Sequence, residues 1–84
     1  MNSLSAADET GQRLRQVMGA VFGIDAATIS PDASSATIAE WDSVRHLQLM
    51  LALEEEFSVQ FETDELVSLR TFPLIEQRLR TSRL

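Results

Sequence analysis

The chain has 84 residues, 44% of them hydrophobic, with no cysteine, three glycines and two prolines. That length allows one domain, the missing cysteine excludes disulfides and thiolate-bound metal, and the apolar fraction suffices for one core. Thirteen acids against seven bases give a net charge of −6, which disfavours nucleic acid and anionic membrane surfaces and favours a partner with a basic patch.

A first helix is predicted over about residues 6–22. Ser5 and Asp8 resemble a capping box. Leu14, Val17, Met18, Val21 and Phe22 recur at helical spacing, and Gly23 stands where a left-handed C-terminal residue is wanted. Residues 24–42 read as a long loop, because Pro31, Asp32, Ser34 and Ser35 break the periodicity. Ile24, Ile29 and Ile38 are expected to pin it back over the core. A second helix starts at Asp42 or Ser43 and ends near Phe57. A short third follows over residues 64–69 with Thr63 as its cap. The fourth begins after Thr71. Pro73 falls in its first turn, where a missing N–H costs little, and Phe72, Ile75 and Leu79 face the core.

The expected fold is all-α: a small four-helix bundle of three longer helices and one short helix, with a long loop between helices one and two. Residues 1–84 form a single domain whose ends, 1–5 and 81–84, are expected to fray. The N-terminus carries no secretory signal pattern. The longest apolar run, residues 49–53, is far too short to span a bilayer, so the expectation is a cytoplasmic protein without a membrane span.

The second helix has two apolar sides. At 100° per residue, the helical repeat, His46, Leu49, Met50, Leu53 and Phe57 fall together and are assigned to the core. Val44, Leu47, Gln48, Leu51 and Glu55 fall opposite, with Glu54 at their margin. Apolar residues set among carboxylates suit a partner surface; the alternative is burial of Val44, Leu47 and Leu51 under the loop or the third helix. Eight acids lie between Glu40 and Glu65 against one base, Arg45. Such crowding predicts a marginal bundle, weaker at low salt and at high pH.

Ser43 opens the second helix, where unpaired backbone N–H groups and the helix dipole favour an anion. A serine there can carry a phosphodiester without burying charge. Asp-Ser at a helix start is also a common cap, so the pair gains meaning from its surroundings. The run Trp41-Asp42-Ser43-Val44, followed by Leu49-Met50-Leu51-Ala52-Leu53-Glu54-Glu55-Glu56-Phe57, resembles the acyl carrier protein family, with its Asp-Ser-Leu motif and its helix ending in Ala-Leu-Glu-Glu-Glu-Phe. The likeness spans about residues 14–79. It implies a non-catalytic four-helix carrier with 4′-phosphopantetheine attached to Ser43; Asp42, read from its place at the helix start, supports it by capping the helix and helping a transferase orient Mg²⁺ or accept a proton. It implies the second helix as recognition element, with Val44, Leu47, Gln48, Leu51, Glu54 and Glu55 as partner-binding residues. The implied partners are a phosphopantetheinyl transferase, an acyl- or aminoacyl-loading ligase or transferase, and downstream synthase or modifying enzymes with basic docking patches.

Five positions depart from the commonest fatty-acid pattern. Val44 replaces Leu, Arg45 stands where Asp is frequent, Gln48 replaces Glu, Ser58 replaces Gly, and Trp41 precedes Asp42 where small residues are common. They suggest a specialised carrier rather than a housekeeping one. The alternatives are an aminoacyl or peptidyl carrier, whose cargo the loading enzyme selects, and an unmodified helical adaptor for a basic partner. Ser43 and His46, three apart, could neighbour each other, but no oxyanion hole or cleft accompanies them. No catalytic residue is assigned; His46 is expected at the core edge, bonded to a loop carbonyl. Glu54, Glu55 and Glu56 point in different directions on a helix, so no metal site is assigned. Trp41 is either a binding anchor or loop packing.

Overall fold

The computed structural model describes residues 3–82, with side chains from Glu9 to Thr81. Four helices follow in chain order: α1 (Ser3–Phe22), α2 (Ser43–Phe57), α3 (Thr63–Ser68) and α4 (Phe72–Ser82), with a 3-10 turn at Ala26–Thr28 inside the first loop. The helical backbone from Ser3 places Ser5 inside the first turn of α1, not at its cap. The side chains of Ser5 and Asp8 lie outside the described residues, as do residues 1–2 and 83–84 of the ends expected to fray.

The predicted apolar stripes meet in one core. Leu14, Met18 and Phe22 of α1 pack with Leu49, Met50 and Leu53 of α2 and with Phe72, Ile75 and Leu79 of α4. Gly23 ends α1 with φ +72° and donates its N–H to Gly19 O at 2.8 Å, the left-handed cap that glycine adopts without Cβ strain. At the end of α2 the same conformation falls on Ser58, φ 53°.

The long loop is held more firmly than its isoleucines alone predict. Ile29 is buried while Ile24 and Ile38 are half-buried against the core. Ala33 and Trp41 are buried as well. The backbone adds two clasps, to the first residue of α4 and to the segment before it: Phe72 N donates to Ala33 O at 2.7 Å and Ser35 N to Arg70 O at 3.0 Å, beside the Ser34–Thr71 bridge. The loop thus delivers Trp41 into the core immediately before α2.

The cap of α3 differs from expectation. Thr63 is already helical, and Glu62 is the N-cap, in a capping box with Glu65. A Glu62 carboxylate has the reach to cap, and Glu65 returns the bond to the Glu62 N–H at 2.8 Å. Glu65 also pairs with Arg78 of α4, which ties the short helix to the bundle. That pairing holds the Glu65 carboxyl below its ordinary range.

Candidate functional site at the start of α2

Asp42 is the N-cap of α2, its backbone extended at φ −96° and ψ −177°. Its Oδ1 accepts the Arg45 N–H at 2.8 Å, and its Oδ2 faces Arg45 Nη1 at 3.2 Å. His46 N donates to Asp42 O at 2.8 Å and closes the first turn. Ser43 is therefore the first helical residue. Its side chain is exposed, and the cap bonds run through Asp42 and Arg45, leaving the serine hydroxyl outside them.

Beneath this exposed turn lies a buried polar chain. Trp41 is 2% exposed and His46 1%. The Trp41 Nε1–H donates to His46 Nδ1 at 2.9 Å, and His46 Nε2 lies 2.8 Å from Leu66 O of α3. Indole nitrogen only donates, so Nδ1 must accept, and the ring proton sits on Nε2 and goes to Leu66 O. The imidazole is neutral in this arrangement. Burial holds its pKa below the usual histidine value, against the raising effect of the Leu66 carbonyl and with help from the Arg70 cation. His46 thus bonds a helix carbonyl and not the loop carbonyl expected. With both ring nitrogens engaged, it cannot serve as a base for Ser43. Trp41 is loop packing: its ring lies 5.3 Å from Phe22 and 6.1 Å from the His46 ring, centroid to centroid.

The two sides of α2 separate as the 100° repeat predicts. His46, Leu49, Met50 and Leu53 are buried, and Phe57 is half-buried. Opposite them, Val44 is 66% exposed, Leu47 55% and Leu51 65%; neither the loop nor α3 covers them. Gln48 and Glu55 are exposed with them. Glu54 is half-buried, and its carboxylate accepts the Phe61 N–H at 2.9 Å, so part of it serves the turn after α2. Glu56 turns to Arg13 of α1 at 2.9 Å. The three consecutive glutamates therefore diverge. The sequence reading missed Val67 of α3, 64% exposed; a helix of six residues is too short for its period to show which side faces water.

A family model described as the phosphopantetheine attachment site matches residues 12–79. The chain is 30% identical over 60 residues to an acyl carrier protein of Thermosynechococcus vestitus, covering 71% of this chain and 74% of that protein. It is also 30% identical over 54 residues to an acyl carrier protein of Solidesulfovibrio magneticus, covering 64% and 69%. The chain belongs to the phosphopantetheine-binding carrier family. It is a non-catalytic carrier, the prosthetic group of the family is 4′-phosphopantetheine, and a phosphopantetheinyl transferase and pathway enzymes are the partners such a carrier requires. Among the described residues no helix is long and apolar enough to cross a membrane.

The start of α2 fits that group. It offers an exposed hydroxyl on a helix first turn, where the dipole favours a phosphodiester, and a guanidinium, that of Arg45, on the adjacent cap.

Proposed function

We propose that Ser43 is the attachment residue and that the chain carries an acyl group on the arm as a specialised carrier with its own partner set. When bound, the group supplies a terminal thiol for a thioester. The observation that carries the reading is the exposed Ser43 on the first turn of α2, beside an apolar side of the same helix that the fold leaves open. Asp42 holds the turn in place through the Arg45 N–H. Val44, Leu47, Gln48 and Leu51 present the docking side, with Glu55 and the outer part of Glu54 as its acidic margin toward a basic patch on loading ligases, synthases or modifying enzymes. The specialised type rests on Arg45 and Gln48, which remove negative charge beside Ser43. Arg45 neutralises Asp42, so the approach to the serine is less acidic than the flank around Glu55. Work in the cytoplasm accords with this reading.

The test is localisation of the arm. After incubation with a broad-specificity phosphopantetheinyl transferase and coenzyme A, fragmentation of the modified peptide should place the group on Ser43. A group found on any other serine would overturn the assignment.

A further inference from the structure

His46 is the one histidine of the chain, it is fully buried, and the carrier chemistry does not use it. Its two bonds join three parts of the fold: the loop end at Trp41, α2 itself, and α3 at Leu66. Both bonds require one tautomer of the neutral ring. A proton on Nδ1 would set two donors face to face across 2.9 Å, and it would bury a cation.

The charged groups around the ring do not compensate that cation. On its own helix, Asp42 and Arg45 are paired with each other. Glu40, next to Trp41 in the loop, is exposed. On α3, Glu65 is engaged by Arg78 of α4, and beyond α3 the Arg70 cation opposes a second positive charge. From α1 the nearest aromatic neighbour of the pair is the Phe22 ring against Trp41. An uncompensated buried charge is costly enough that the group loses its proton or moves to water.

We propose that the Trp41–His46–Leu66 chain is a proton-sensitive latch, which holds the loop end and α3 against α2 while the imidazole is neutral and opens when it takes a proton from solvent. The protonated ring can relieve the donor–donor clash and reach water only by swinging out. That movement also gives up the Leu66 carbonyl and loosens α3, which stays tied to α4 through the Glu65–Arg78 pair. Trp41 lies two residues before Ser43 and His46 three after it, and Val67 follows Leu66. Local pH is thereby coupled to the geometry of the helix start and of the exposed side of α3, whatever group the serine carries.

Hydrogen exchange followed by NMR on the apo chain tests this without any partner. Between about pH 7.5 and about pH 5, the range in which histidine alone titrates, the α3 amides and the Trp41 indole N–H should lose protection by about tenfold per pH unit once the pH falls below about 6.5. Amides of Leu14 and Met18 open only with global unfolding and should stay better protected than α3 at every pH. In His46→Gln the amide can still donate to Leu66 O but does not titrate, and α3 protection should no longer change with pH. Should that variant not fold, Trp41→Phe provides the second reading: without the indole donor, the His46 pKa should rise toward its ordinary value. Unchanged α3 protection in the wild type would overturn the latch, as would α3 protection equal to that of the α1 amides throughout, or a His46 pKa indifferent to Trp41→Phe.

Discussion

At the scale of single residues, Asp42 and Ser43 were legible because a cap is local: a short acceptor before a helix and a polar residue on its first turn need no tertiary contact to be recognised. His46 and Trp41 were not. The partner of a buried polar group comes from wherever the chain folds, and nothing in the spacing of Trp41, His46 and Leu66 announces a shared chain of bonds. That chain sets a pH dependence of stability. His46 has a folded pKa below the unfolded value of 6.5, so below that pH the unfolded state binds more protons. The stabilisation is complete above about 6.5 and is lost as pH falls toward the folded pKa. Denaturant melts should show stability declining on acidification from neutral pH, and His46→Gln should remove that slope. A flat profile in the wild type would contradict it. Ser58 makes a separate prediction. Its left-handed backbone at φ 53° disfavours a Cβ, so Ser58→Gly should stabilise the chain by up to about 1 kcal/mol. A loss of stability in the same melt would show that the serine contributes something the cap geometry does not.

At the scale of elements, α2 was readable in full because fifteen residues give a helical period time to separate its two sides. The six residues of α3 do not, and its cap was misplaced by one residue because Glu62 caps less often than Thr63 would. The separation on α2 has an energetic consequence. Leu53 is 0% exposed and Leu51 65%. Leu53→Ala should therefore cost about 2–5 kcal/mol, the range for a buried leucine, and Leu51→Ala well under that. Glu55→Arg should leave stability within about 1 kcal/mol while slowing phosphopantetheine transfer, since charge reversal acts on encounter. Denaturant melts paired with transfer rates separate the two effects. Equal destabilisation by Leu51→Ala and Leu53→Ala would show both sides to be buried. Unchanged transfer in Leu51→Ala and Glu55→Arg would remove the docking assignment for the transferase.

At the scale of the molecule, arginine ties the bundle together where composition showed only an acidic chain. Arg13 lies 4.5 Å over the Phe57 ring and bonds Glu56 O and Oε2, both at 2.9 Å. Arg15 lies 4.8 Å over Phe72 and bonds Ile29 O at 3.1 Å. Arg78 lies 5.5 Å over Phe61, bonds Gln60 O at 3.2 Å and pairs with Glu65. Each uses a planar guanidinium that stacks and donates at once, which lysine cannot do. The stacking and carbonyl bonds are less sensitive to salt than the repulsion among the exposed acids from Glu40 to Asp64. The melting temperature should therefore rise as salt is added from low ionic strength; a steady fall would show that the ion pairs outweigh the repulsion. The central claim is that this acidic bundle presents Ser43 alone for the arm, and the intact mass of the chain tests it most directly. With transferase and coenzyme A, the wild type should gain the mass of one phosphopantetheine, and Ser43→Ala, whose cap at Asp42 is untouched, should gain none. A mass gain in Ser43→Ala, or none in the wild type, would contradict the account.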